Sequence, residues 1–85
     1  MIIGYSPKFV KQYKRLNFEL RQEIKEKIKL LDQSVNHKYL KVHKLHGLWK
    51  KCYSFSVNYK TRIIFEYKSK ETIVLLSVGD HNVYK

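Results

Sequence analysis

Apolar and polar positions change their period near residue 41, and the change separates a helical first half of the chain from a sheet-like second half. Residues 2–5 are short and apolar and predict an opening strand. Ser6-Pro7 then reads as a helix start, with serine as N-cap and proline at the first helical position. Phe9, Val10, Tyr13 and Leu16 follow at helical spacing with lysines between them. Asn17 breaks that pattern and can cap a second helix. There Leu20, Ile24, Ile28, Leu31 and Val35 recur at three- and four-residue steps and form one apolar stripe. Glu23 and Lys27 make a favourable i,i+4 pair, whereas Arg21, Lys25 and Lys29 repel weakly along their surface. Two helices joined by so short a break predict an antiparallel hairpin.

Beyond residue 41 the period is two. Lys51, Tyr53, Phe55 and Val57 alternate with Cys52, Ser54 and Ser56; Arg62, Ile64 and Glu66 alternate with Ile63, Phe65 and Tyr67. Ile73 to Val78 is nearly continuous apolar and predicts a central strand buried on both faces. The intervening breaks, Asn58 to Lys60 and Lys68 to Glu71, are short. The expected architecture is α+β, in the order β-α-α-β-β-β: an antiparallel sheet with a helical hairpin packed on one face. The other face has no helix left to cover it and should expose Ser54, Ser56, Arg62 and Glu66. No repeat, low-complexity tract or linker divides residues 1–85, which predicts a single domain.

Composition narrows the class. With 85 residues and 44% hydrophobic content the chain can fold unaided, although a domain of this size buries only roughly 60–65% of its unfolded surface. The lone Cys52 excludes an intramolecular disulfide and a cysteine-based zinc site, and fits a reducing compartment. No apolar run approaches the ~20 residues of a membrane helix, and Met1 to Tyr5 lacks the basic and apolar regions of a signal peptide. A small, basic, cytoplasmic protein with no membrane association is expected. The net charge is +11, and its distribution says more than its size. Between Asp32 and Glu66 there is no acidic residue, yet Lys38, Lys41, Lys44, Lys50, Lys51, Lys60 and Arg62 all fall there, with His37, His43 and His46. Such a run of uncompensated charge on a structured segment points to a nucleic acid.

Candidate chemistry follows from that polyanion. His43 and His46 stand three apart without the further ligands a metal site needs, so no metal or other cofactor is expected. The chain closes on Gly79-Asp80-His81-Asn82-Val83-Tyr84-Lys85, which reads either as a frayed terminus or as two proton-transfer groups, His81 and Tyr84, mounted at a strand end. Arg62 reads either as a partner of Glu66 or as a phosphate clamp. A metal-free ribonuclease requires a base for the ribose 2′-hydroxyl, cations for the phosphate and an acid for the leaving 5′-oxygen. His43, His81, Tyr84, Arg62 and the lysines can supply all three kinds, and no Ser/His/Asp or glycine-rich phosphate motif competes with them.

The ordered set His43-x-Leu45-x-Gly47, Cys52-Tyr53-Ser54-Phe55-Ser56-Val57, Arg62-Ile63-Ile64-Phe65 and Val78-Gly79-Asp80-His81-Asn82-Val83-Tyr84 resembles the RelE/ParE superfamily of bacterial toxins, in its RelE/YafQ-like mRNA interferase branch. The resemblance spans nearly the whole chain. It implies the toxin of a type II toxin–antitoxin pair, an endoribonuclease that cleaves mRNA in the A site of the 30S ribosomal subunit by 2′-hydroxyl attack. It also implies a cognate antitoxin, with operator DNA reached only through that antitoxin. Carried over residue by residue, His43 matches a histidine before the Leu-x-Gly step, Arg62 a strand arginine on the scissile phosphate, His81 a terminal acid or phosphate contact, and Tyr84 a terminal aromatic against the substrate base. Lys44, His46, Lys50, Lys51 and Lys60 would bind RNA. Ser54 and Ser56 replace lysines or a histidine of some members, and Asn82 replaces a terminal acid, so the base falls to His43, with His46 or Glu66 as further candidates. Two other readings share the fold or the charge: a ParE-like toxin that poisons DNA gyrase, and a non-catalytic RNA-binding module.

Overall fold

The structure, a computed structural model, describes residues 1–33, 36–80 and 83. Strand β1 (Ile2–Tyr5) leads into helix α1 (Pro7–Lys14), helix α2 (Phe18–Leu31), a two-residue strand β2 (His43–Lys44), and strands β3 (Cys52–Ser56), β4 (Arg62–Tyr67) and β5 (Thr72–Gly79). Both helix starts follow local chemistry. The Ser6 hydroxyl accepts from the Phe9 N–H at 3.0 Å with Pro7 opening the helix, and Asn17 Oδ1 accepts from the Leu20 N–H at 2.8 Å. Each cap satisfies one of the amides that a helix N-terminus leaves without a partner. α2 ends at Leu31, so Val35 of the expected stripe lies outside the described residues.

The five strands form one sheet in the order β1-β5-β4-β3-β2. β2 through β5 pair antiparallel, but β1 joins β5 in parallel, with Ile3 opposite Ile73 and Tyr5 opposite Leu75. The sheet is therefore mixed where an antiparallel one was expected. The two helices between β1 and β2 carry the chain back across the sheet, so β1 takes the far edge and runs with β5.

The core lies on the helix side. Phe9 of α1 and Ile24 and Leu31 of α2 meet Phe55, Ile63, Phe65, Ile73, Leu75 and Val78. Burial of each such side chain contributes about 1.5–3 kcal/mol. β5 alternates buried and half-buried residues and is not buried on both faces throughout. Its alternation slips at Leu76: Phe65 pairs with Leu75 and Ile64 with Ser77, leaving Leu76 as a bulge. α1 anchors this irregular stretch, with the Ser6 hydroxyl donating to the Leu76 carbonyl at 3.0 Å and the Val78 N–H donating to Gln12 Oε1 at 2.8 Å.

Candidate functional site

The face opposite the helices carries Cys52, Ser54 and Ser56 of β3, Arg62, Ile64 and Glu66 of β4, and His43 of β2, because His43 pairs with Ser54, Ser54 with Ile64, and Ser56 with Arg62. This face is less open than expected. Ser54 is 0% exposed, Ile64 0% and Ser77 2%, so the expectation that Ser54 is displayed is corrected. The reason is partly visible at Gly79, which pairs with Arg62. A Cβ there would meet Val83 Cγ1 at 2.7 Å, closer than a real side chain allows, so the turn after β5 folds onto this face. Within that turn the Val83 N–H donates to the Asp80 carbonyl at 3.0 Å.

Arg62 stands at the rim of the covered patch, half-buried. Its Nη1 donates to the carbonyls of Asn58 at 3.0 Å and Tyr59 at 3.2 Å, and more weakly to that of Thr61 at 3.4 Å. Those carbonyls belong to a turn built by Asn58, whose Oδ1 accepts from the Lys60 and Thr61 N–H groups at 2.8 and 2.9 Å. The Asn58 amide donates to Glu23 Oε1 of α2 at 2.6 Å, which ties the turn to the helical layer. The turn grips the guanidinium through Nη1 and leaves the Nε–Nη2 edge outside that grip. Glu66 does not pair with Arg62. They stand four positions apart along one strand, roughly 13 Å at the rise of a strand, and Glu66 instead meets Lys68 at 3.3 Å.

His43 is exposed on the edge strand. Its Nδ1 lies 3.2 Å from the Lys41 carbonyl, and Lys41 takes a left-handed backbone, φ 58°, at the entry to β2. A carbonyl only accepts, so Nδ1–H is the donor of that bond, and Nε2 lies on the opposite side of the ring. His43 and Arg62 are two strands apart and offset by two residues, about 12 Å between Cα atoms. Both side chains are long enough to extend toward a group held between them. His46 is exposed at the start of a short 3-10 turn, Gly47–Trp49, where Gly47 has φ 66° and the Leu45 N–H closes the loop onto the Cys52 carbonyl at 2.9 Å.

The lysines divide into two groups. Lys44 pairs with Tyr53, which puts it on the helix side of the sheet, across from His43. Lys44, Lys50 and Lys51 line a groove of about 300 Å³ at the sheet edge with Tyr53, Tyr67 and Glu66. Lys60 is at the opposite end of β3, in a cavity that also includes Glu19, Glu23 and Glu26 of α2, so the turn lysine faces acids rather than the other lysines. His81 and Tyr84 lie outside the described residues; the strand that leads to them ends at Gly79, directly beside Arg62.

Two further groups near the edge groove were not singled out in sequence. His37 bridges elements: Nε2 donates to the Leu31 carbonyl at 2.8 Å, and Nδ1 accepts from the Tyr67 hydroxyl at 2.9 Å. That arrangement seals the end of α2 against β4, a structural duty for one of the four histidines. Burial, then the neighbouring Tyr53, raises the Tyr67 phenol above its ordinary value of 10.0. The buried Cys52 thiol is also raised, by burial first and Glu66 second, with Lys68 opposing. Among the described residues no group of three His, Cys, Asp or Glu side chains could hold a metal ion, and no helix is long and apolar enough to cross a membrane.

No family model matches the sequence, and no curated protein matches it. Solved structures do match the fold. The crystal structure of YafQ from E. coli superposes with a TM-score of 0.80 at 20% identity, covering 96% of this chain and 94% of that one. The YoeB–YefM complex from Staphylococcus aureus matches at TM-score 0.76 and 24% identity, with 95% of this chain and 97% of that one covered. The E. coli RelBE toxin–antitoxin complex matches at TM-score 0.72 and 20% identity, over 93% and 94% of the two chains. The α+β fold of this chain is the fold of these RelE-like proteins.

Proposed function

We propose that this chain is the toxin of a type II toxin–antitoxin pair, and that it is a metal-independent endoribonuclease acting on mRNA in the ribosomal A site. The observation that carries the reading is the pairing of Arg62 with Gly79, on the face that also bears His43. It sets a fixed cation beside the strand end from which His81 and Tyr84 follow in sequence. The whole-chain match to the YafQ, YoeB and RelBE structures supports the same reading, since two of them are complexes of the kind it requires.

In this reading His43 Nε2 takes the proton of the ribose 2′-hydroxyl. The 2′-oxygen bonds to phosphorus, the bond from phosphorus to the 5′-oxygen breaks, and His81 gives that oxygen a proton. A cyclic phosphate and a 5′-hydroxyl result. Arg62 holds the charge that accumulates on the phosphate, its orientation fixed beforehand by the Asn58 turn. Tyr84 orients the base. Ser54, fully buried, takes no part. Lys44, Lys50 and Lys51 hold flanking RNA from the adjacent edge, whereas Lys60 is assigned a lesser role beside the acids of α2. Each proton-transfer group contributes typically ~10²–10⁴-fold.

Growth inhibition tests this. Controlled expression of the wild-type chain should arrest growth, and the Arg62→Ala/His81→Ala variant, produced at equal level and with an unchanged circular dichroism spectrum, should not. A double variant as toxic as the wild type would remove the site from this face.

A further inference from the structure

Glu66 is out of place in the edge groove. The groove opens where β3 begins and β4 ends, and Lys44, Lys50 and Lys51 line it with Tyr53 and Tyr67. Glu66 is its one acid among the described residues. A carboxylate repels a phosphate backbone, so it works against a surface that holds RNA by charge alone. Nor does its ion pair account for it. The Lys68 side chain at 3.3 Å is 55% exposed, and an exposed pair of this kind contributes little. Lys68 also engages Oε1 only, which leaves Oε2 without a partner among the described residues. The rest of the groove fits a nucleobase. Tyr53 and Tyr67 are half-buried and meet edge to face, 5.0 Å between centroids, and the Tyr53 ring stacks on Phe65 at 5.8 Å. The Tyr67 hydroxyl is fixed by His37 at 2.9 Å, so these aromatic walls are preorganised. A volume of about 300 Å³ is at the small end of ligand sites and takes one base rather than a duplex or a protein segment.

We infer that this groove reads one guanine of the RNA strand, with Glu66 accepting from its N1–H and N2–H groups and Lys50 or Lys51 donating to its O6. The inference rests on the nuclease reading and adds a specificity to it. The choice of base follows from the donor count. An ionised carboxylate only accepts. Guanine offers it two adjacent donors with an acceptor beside them, the complement of a carboxylate next to an ammonium. Adenine and cytosine offer a single amino group beside an acceptor that repels the second oxygen, and the one N–H of uracil lies between two carbonyls. Single-stranded RNA is commonly read on these edges and against aromatic rings. Glu66 and Arg62 share a face of β4, roughly 13 Å apart at the rise of a strand. At 3.4 Å per stacked nucleotide that is about four nucleotides, and fewer in an extended strand. The guanine therefore stands at one fixed position within about four nucleotides of the cut.

Two measurements test this. The first maps transcript 5′ ends after brief expression. Wild-type cuts should share a guanine at one position in that window. Glu66→Gln, which exchanges an acceptor for a donor, should still cut but lose about tenfold or more of the preference for guanine over adenine. Lys68→Gln breaks the ion pair and should keep the wild-type preference, whereas a merely structural Glu66 would respond alike to both changes. The second measurement titrates the ¹⁵N-labelled chain with 2′-O-methyl pentanucleotides, which 2′-hydroxyl attack cannot cut: uridines around a central guanine, adenine or cytosine. The guanine oligomer should bind most tightly and shift the amides of Tyr53, Glu66 and Tyr67, and Glu66→Gln should bind all three alike. An unchanged guanine preference in Glu66→Gln, or equal shifts from the three oligomers with the wild type, overturns the inference and leaves the nuclease reading standing. So does loss of all cutting in a folded Glu66→Gln chain, which would make Glu66 the general base. Intact transcripts with the wild type, alongside guanine-selective shifts, overturn the nuclease reading and leave a guanine-reading groove.

Discussion

Replacing Asn58 by alanine removes three hydrogen bonds at once and makes a demanding test of how the fold positions Arg62. Asn58 Oδ1 accepts from the Lys60 and Thr61 N–H groups, and its amide donates to Glu23 at 2.6 Å. The Lys60 N–H is exposed and can turn to water, so its loss costs about 0.5 kcal/mol. Thr61 is buried, and an unsatisfied N–H there costs about 1–2 kcal/mol. The bond to the Glu23 carboxylate is partly buried and charge-assisted, worth about 1 kcal/mol. Together Asn58→Ala should destabilise by about 3 kcal/mol, a fall in thermal midpoint of roughly 12–24 °C for a domain of this length. Asn58→Asp keeps the side-chain oxygen that accepts from both backbone N–H groups but loses the amide donor and faces Glu23 with a like charge, so it should cost less, about 1–2 kcal/mol. Urea unfolding followed by circular dichroism reads both variants with the same slope. An alanine variant within about 0.5 kcal/mol of wild type would make Asn58 an ordinary surface residue. An aspartate variant worse than alanine would mean that contact with α2, rather than closure of the turn, is what Asn58 provides.

Other consequences can be measured separately. Phe9→Ala should destabilise by about 3–5 kcal/mol, since the ring fills the space between α1 and β5 and is 2% exposed; urea unfolding checks it. Tyr67→Phe leaves His37 Nδ1 without its donor in a partly buried position and should cost about 1–2 kcal/mol in the same assay. Cys52 should label slowly with a thiol reagent at pH 8 and rapidly once unfolded, because burial limits access and raises the thiol above its ordinary 9.0. Alkaline stability follows from Cys52 and Tyr67 together: both hold their protons more tightly folded than unfolded. The stabilisation is complete below the unfolded values of 9.0 and 10.0 and is lost as pH rises through the higher folded ones. Urea midpoints should therefore fall from about pH 9 upward, and Cys52→Ala should flatten the first part of that fall.

Much of the fold is legible because its signals are local. Ser6-Pro7 and Asn17 cap helices by reaching amides three residues ahead, so sequence spacing suffices. The alternations in β3 and β4 assign each side chain to a face, and those faces are the ones found. The direction of β1 is not written in Ile2 to Tyr5; it depends on where two helices deliver the chain. Alternation also says which face Ser54 occupies but not that it is covered, and the nearest sign of a cover, Val83 against Gly79, comes from beyond the last strand. The pairing of Arg62 with Glu66 fails on strand geometry alone, since sharing a face does not bring residues four apart into contact. Lys44 and His43, adjacent in sequence, fall on opposite faces for the same reason, which moves the lysines to the sheet edge. His37 carries no distinguishing neighbours in sequence; its two bonds run to Leu31 and Tyr67, and the second spans 30 residues.

Primer extension on cellular transcripts after brief expression shows whether this chain cuts mRNA on the face shared by His43 and Arg62. Discrete cuts at fixed positions within codons are expected with the wild-type chain and none with Arg62→Ala/His81→Ala. Growth arrest with intact transcripts and induction of the DNA-damage response would contradict it and place this fold with the gyrase poisons.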